Sequence, residues 1–219
     1  MMNHKITALR IQKRNHQRVN VYLDGEFAFS LARIVAAWMK VGQEIRKETI
    51  DQLQEQDARE SAYQRALKFI SYRPRTEVET RRNLREHTIP EEIIADVIDR
   101  LKHCGLLSDV SFAQSWVENR IDNSPRSRRA LAYELKQHGI DEHTIEQTLE
   151  AIDDEEMAYQ AALKHARKLK REEWKGFLAK MYRHLSQRGF SYEVSSQAIS
   201  RVWEQVHDTE SFLEHEASL

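Results

Sequence analysis

The chain has 219 residues, with 34 Lys and Arg set against 35 Asp and Glu for a net charge of −1 at pH 7, so any affinity for nucleic acid must come from local patches. Hydrophobic residues make up 40%, enough to bury a core, while only six Gly and three Pro argue against an all-β chain dense in tight turns. The single Cys104 excludes an internal disulfide framework and any Cys-based zinc site. Residues 1–9 contain no apolar stretch of signal-peptide length, and the longest apolar run, Ile34 to Met39, is far short of the roughly 20 residues of a membrane helix. A soluble, cytoplasmic protein is expected.

The first thirty residues differ from the rest. Val19, Val21 and Leu23 alternate with Asn20 and Tyr22, Asp24-Gly25 follows, and Phe27 and Phe29 resume the alternation. Alternation on both sides of Asp-Gly predicts a β-hairpin, because a type I′ turn needs positive φ at both central positions. Ile6 to Lys13 supplies a third strand, turning through residues 14–17. The stretch from Ser30 or Leu31 to Lys40 reads as a short helix ended at Val41-Gly42. From Lys47 onward apolar residues recur at three- and four-residue intervals, which predicts helix until Pro74 forces Arg73 out of the helical region.

The sequence repeats itself at intervals of about fifty residues. A shift of 51 residues lays Ala62 on Ala113, Pro74-Arg75-Thr76 on Pro125-Arg126-Ser127, Leu84 on Leu135, and Ile94 on Ile145. A further shift of 50 takes Leu135 to Leu185, Gly139 to Gly189, Ile140 to Phe190 and Leu149 to Ile199. Three copies of one unit are implied, each of three helices; in the first they cover about Ala58–Tyr72, Thr76–Glu86 and Pro90–His103. Thr76, Ser127 and Asp141 stand at helix N-caps, and Gly105 and Gly139 close helices. Such short helices bury their apolar stripes only against one another, so the expected fold is mainly α, with tandem three-helix units in an elongated curved solenoid behind a small N-terminal antiparallel sheet. The expected segments are a β-hairpin and short helices over 1–57, repeats at 58–109, 110–156 and 157–206, and a polar tail at 207–219.

Catalytic motifs are absent by inspection: there is no Walker A loop, no G-x-G-x-x-G, no H-E-x-x-H and no G-x-S-x-G. The ten histidines contain no i, i+4 pair, and the acidic run Asp153 to Glu156 points around its helix instead of converging on a metal. No cofactor and no catalysis are expected. Basic residues, in contrast, recur at matching places in the repeats. The first repeat carries Arg73, Arg75, Arg81, Arg82 and Arg85 around the start of its middle helix. The second has Arg120, Arg126, Arg128 and Arg129, and the third Lys164, Arg167, Lys168, Lys170 and Arg171 near an elongated junction. Arginine suits bidentate recognition of carboxylate or phosphate, so the clusters are candidate contacts for an extended partner. The competing reading is a solvated helix face with intrahelical pairs such as Glu77–Arg81 and Glu79–Arg82. Trp116, Trp174 and Trp203 with Tyr72, Tyr133, Tyr182 and Tyr192 invite base stacking, though core packing is the stronger reading for most.

The run Arg73-Pro74-Arg75-Thr76-Glu77-Val78-Glu79, then Leu84, then Leu101, Gly105-Leu106-Leu107-Ser108-Asp109 and Phe112-Ala113, resembles the signature of the RecX family of bacterial recombination regulators. Residues 126–140, ending His138-Gly139-Ile140, are similar to that family's next motif. The sequence departs from the pattern at Thr88, where the other two repeats have Gly, and in its longer third repeat. The resemblance implies a non-enzymatic modulator that binds along the RecA–DNA filament, inhibits its ATPase and strand exchange, and favours disassembly. The RecA filament is then the partner, single-stranded DNA within it a further contact, and a monomer is expected. The rival readings are a direct DNA-binding helical protein of the transcriptional-regulator type and a scaffold for unrelated proteins.

Overall fold

The computed structural model describes residues 3–169 and 172–216, with residues 207–216 as helix backbone only. Four strands and nine α-helices are found among the described residues, in two compact units that divide after Leu107.

The first unit opens with β1 (Asn3–Ile11), β2 (Arg18–Leu23) and β3 (Glu26–Ala32), and a later short strand, β4 (Glu44–Arg46), completes an antiparallel sheet in the order β3-β2-β1-β4. The Asp-Gly turn has the expected geometry, with φ of 50° at Asp24 and 97° at Gly25. Asp24 is further anchored to β1: the Lys5 amide donates to its carboxylate at 2.9 Å, and the His4 ring lies at 2.8 Å. Those two contacts hold the Asp24 carboxyl below the usual carboxylate range. Val19, Val21 and Leu23 all face inward, joined by Ile6, Leu31 and Ile45, because the period of two puts alternate side chains on one face.

The expected helix from residue 30 to 40 does not form. Leu31 instead pairs with Val19 in the β2–β3 ladder and is fully buried, and only Val35–Trp38 winds, as a 3-10 turn. Ladder hydrogen bonds and a sheet core ready to take Leu31 outweigh a helical pattern too short to stand alone. The chain then returns to β1, where Gly42 donates to the Ile6 carbonyl at 2.8 Å and Ile6 donates to Gln43 at 2.9 Å.

Helix α1 (Lys47–Ser71) runs unbroken for 25 residues. Its first half covers the sheet through Leu53, and its second half contributes Ala62, Tyr63 and Ala66 to the first three-helix core, with α2 (Glu77–Glu86) and α3 (Glu91–His103). Leu84, Ile94, Ile98 and Leu101 are fully buried there. One helix therefore belongs to both the sheet and the first repeat.

The second unit holds two repeats. The first comprises α4 (Asp109–Asn123), α5 (Arg128–Gln137) and α6 (Glu142–Leu149) around Phe112, Leu131, Leu135 and Leu149. The second comprises α7 (Asp154–Ala166), α8 (Trp174–Ser186) and α9 (Tyr192–Glu216) around Ala158, Ala162, Phe177, Met181 and Ile199. The predicted caps are present: the side chains of Thr76, Ser127 and Asp141 accept from the amides of Glu79, Ala130 and Thr144. Residues aligned by the repeat shift share their environment, with Leu84, Leu135 and Leu185 all fully buried. Helix α9 continues through residue 216, so the stretch 207–216 is helical.

The turn after each middle helix is the same device three times. Its αL residue is Thr88 (φ 59°), Gly139 (φ 78°) and Gly189 (φ 87°), followed by a residue whose amide returns to Leu84, Leu135 or Leu185 at 3.1–3.3 Å. In the second unit this turn also joins the two repeats. Ser127 donates its amide to the Arg188 carbonyl at 3.0 Å, and a Cβ on Gly189 would stand 2.6 Å from Ser127 Oγ and 2.9 Å from Ala130 Cβ.

Candidate partner-binding surface

In the first unit, Pro74 breaks the chain between α1 and α2 and the Thr76 cap turns it into the middle helix, which places the basic run around a carboxylate. Glu79 is buried, and Arg73 reaches both of its oxygens at 3.1 and 3.2 Å. Arg75 lies 3.8 Å from the same carboxylate with its guanidinium 4.1 Å over the Phe69 ring. Arg81 bridges Glu77 at 2.7 Å and Glu91 at 3.1 Å, Arg85 grips Glu91 at 2.9 Å, and Lys102 closes on Glu77. The Glu77–Arg81 pair read from the sequence is present, whereas Glu79 turns to Arg73 and Arg75 instead of Arg82. Arg82 is exposed and has no hydrogen-bond or ion-pair partner among the described residues.

The second unit repeats the logic with other residues. Glu134 accepts from Arg120 and from the Trp116 indole, each at 2.8 Å, and sits 3.0 Å from Arg126. Arg120 also covers the Trp116 ring at 4.6 Å. One partly buried carboxylate thus organises two arginines and a tryptophan. Arg128 and Arg129 point elsewhere: both are exposed, with no side-chain ion pair or hydrogen bond among the described residues. They rim a shallow cavity of about 410 Å³ floored by Ala132, Ile145 and Leu149. Asp154 accepts the Arg128 backbone amide at 2.6 Å and so satisfies an orphan donor of α5.

In the last repeat, Lys164 donates to the carbonyls of Ile121 and Asp122, and Lys168 is exposed. Lys170 and Arg171 lie outside the described residues. The candidate cations therefore divide by environment. Arg73, Arg75, Arg81 and Arg126 are held by carboxylates of their own repeat, while Arg82, Arg128, Arg129 and Lys168 present unpaired charge.

The aromatic residues divide as well. Trp116 stacks on Phe112 with ring centroids 5.8 Å apart, and Trp203 packs edge-on against Trp174 and Phe177, each at 4.9 Å. Tyr72, Tyr133 and Tyr192 are exposed. Sequence reasoning missed the carboxylates Glu79 and Glu134 as organisers, and it missed Arg188 and the stacked rings of His165 and His184. Repeat alignment of the acidic positions would not have found the first two, because a shift of 51 does not superpose them. Among the described residues no cluster of three or more His, Cys, Asp or Glu is placed to hold a metal ion, and no helix is long and apolar enough to cross a membrane.

The fold defines a protein of tandem three-helix repeats preceded in the chain by a small antiparallel sheet, with exposed basic residues in each repeat. Four family models match in succession: the RecX regulatory protein N-terminal domain over residues 4–46, and the first, second and third RecX three-helix domains over 62–101, 108–149 and 153–199. The regulatory protein RecX of Bacillus velezensis is 33% identical over 215 residues, covering 95% of this chain and 81% of the relative. That of Clostridium botulinum is 32% identical over 205 residues, covering 90% and 96%. A crystal structure of a regulatory protein RecX superposes with a TM-score of 0.67 at 29% identity, covering 89% of this chain and 98% of the other. The chain belongs to the RecX family of regulatory proteins.

Proposed function

We propose that this protein is a non-enzymatic regulator of homologous recombination and DNA repair that binds the RecA–DNA filament and inhibits its ATPase and strand-exchange activities. The observation that carries the reading is the succession of four RecX domains between residues 4 and 199. The unpaired Arg82, Arg128, Arg129 and Lys168 support it, since they are spread over successive repeats and can each make a modest contact with acidic recombinase surface or strand phosphate. Linking several weak contacts in one chain raises the total affinity through effective concentration, which suits a filament of repeated protomers. In this reading the protein works as a monomer in the cytoplasm, without a cofactor.

The test is single-stranded-DNA-dependent ATP hydrolysis by the cognate recombinase, with this protein titrated below equimolar amounts. Suppression at low ratios is the expected result. No effect up to equimolar protein, with helicity intact by circular dichroism, would overturn the reading. A steep salt dependence of duplex binding without recombinase would then favour a direct DNA-binding protein.

A further inference from the structure

The clusters around Glu79 and Glu134 are each organised by a carboxylate, and a further basic cluster is not. Between the two repeats of the second unit lies a cavity of about 180 Å³ lined by Lys164, Lys168, Arg188, His165 and His184, with Ser124 at its edge. No carboxylate lines it among the described residues. The two imidazoles stack with centroids 3.8 Å apart and planes 11° from parallel, which brings two titratable rings into van der Waals contact. Arg188 donates to the His184 carbonyl at 3.3 Å, and its Nη1 is also 3.3 Å from His184 Nδ1, while its Nε is buried without a hydrogen-bond partner. The charge of Arg126 also acts on Arg188, although Glu134 neutralises part of it.

This accumulation is costly in the free protein. Burial and then the charges of Arg188 and His165 push His184 down to about 4, and burial followed by Arg188 and Lys168 lowers His165. Burial and Arg126 lower Arg188 in turn. The lining donors come from α7 and the turn after it, from α8 and the α8–α9 turn, and from the segment before α5, with the Lys164 ammonium already donating to the Ile121 and Asp122 carbonyls. An oxyanion with several acceptor oxygens satisfies such a set better than a planar carboxylate does. The volume is below the several hundred Å³ of a typical small-molecule pocket and suits a single phosphate group.

We propose that this cavity is a phosphate-binding site, coupled to protonation of His184, that takes a backbone phosphate of a nucleic-acid strand. The site goes beyond recombinase regulation, because a strand occupies it with no recombinase present. The sign of the coupling follows from the charges. His184 is neutral at pH 7 in the free protein, and an anion beside it favours the imidazolium, so binding takes up a proton. By reciprocity, affinity rises as pH falls through the window between the ordinary histidine value and about 4. A phosphodiester keeps one charge throughout that window, so the dependence reports on the protein. The groups facing His184 are Arg188, His165 and Lys168, with the Ala161 backbone, and none of them loses positive charge as pH falls.

The experiment follows the histidine imidazole signals of the full chain by NMR while a short oligothymidylate, inorganic phosphate or an oligoglutamate is added at constant ionic strength. Saturable shifts of His165 and His184 with the oligothymidylate, tighter at about pH 5.5 than at about pH 7.5, are the expected result. Competition by inorganic phosphate against the bound oligothymidylate assigns the interaction to the phosphate group itself, and a saturable response to inorganic phosphate with none to the oligothymidylate overturns the assignment to a strand. Arg188→Gln weakens binding about tenfold, and the exposed Lys168→Gln, which leaves the inter-repeat packing intact, about threefold. No saturable shift, a response to oligoglutamate only, or unchanged binding in both variants would overturn the proposal. None of these readouts involves the recombinase, so failure here and failure of filament inhibition are separate results.

Discussion

Thr88, Gly139 and Gly189 occupy one position in three copies of the same turn, and what surrounds each decides what it tolerates. Thr88 is a β-branched residue at φ 59°, exposed, in a conformation that costs an L-residue with a side chain roughly 1–2 kcal/mol. Thr88→Gly removes that strain and returns part of the gain through the greater freedom of the unfolded chain, so a net stabilisation of about 0.5 kcal/mol is expected. Gly189 has the same backbone sign but no room. Its added Cβ would meet Ser127 Oγ at 2.6 Å and Ala130 Cβ at 2.9 Å, at the point where α5 seats on the following repeat. Gly189→Ala therefore adds overpacking to backbone strain and should cost about 2–4 kcal/mol. Urea denaturation followed by circular dichroism measures both; effects equal in size and opposite in sign would mean that the turn, and not the inter-repeat seat, sets the requirement.

At the scale of elements, one carboxylate adds a polar tie between the sheet and α1, the helix the sheet shares with the first repeat. Asp57 of α1 accepts the Ala32 amide at 2.5 Å and the Arg18 guanidinium at 2.8 Å, and Arg18 continues to the Ser30 carbonyl and Ser61 hydroxyl. Both side chains are largely withdrawn from water, so Asp57→Ala leaves an uncompensated guanidinium and should cost about 3 kcal/mol. Hydrogen exchange should show the loss in β2, β3 and the first half of α1 while the α2–α3 amides keep their protection. Uniform loss over the whole first unit would show that sheet and repeat unfold together.

The same elements show which features could be read in advance. The hairpin was legible because alternation and an Asp-Gly turn are signals between near neighbours, and the repeats because a shift of 51 aligns buried leucines and helix caps. Strand β4 contributes one buried residue, Ile45, and three residues carry no period. Asp57 was invisible because its partners stand 25 and 39 positions away. The His165–His184 stack joins α7 to α8 across the junction that is longest in the third repeat, so no spacing rule marks it. Arginine-rich edges were legible as composition; which arginines carry unpaired charge was not, because Glu79 and Glu134 select them through the fold.

For the whole molecule, a net charge of −1 means that long-range attraction to a polyanion is weak, and partner affinity has to come from cations that are not already spent on internal pairs. This separates two kinds of arginine substitution. Reversing Arg75 leaves the buried Glu79, and reversing Arg120 the partly buried Glu134, facing a second negative charge, so lost activity there would accompany lost stability. Reversing Arg128 and Arg129 together disturbs no ion pair among the described residues, and Arg82→Glu is equally benign to the fold. If these cations meet recombinase or strand, the Arg128→Glu/Arg129→Glu double variant should need roughly tenfold more protein for half-inhibition of recombinase ATP hydrolysis, with the melting transition unchanged. The deficit should shrink as salt is raised, because screening removes the advantage of the unaltered protein first. Full inhibition by a folded variant carrying these three reversals and Lys168→Glu would place the filament contacts away from the unpaired cations of the described residues, for example where Tyr72, Tyr133 and Tyr192 are exposed.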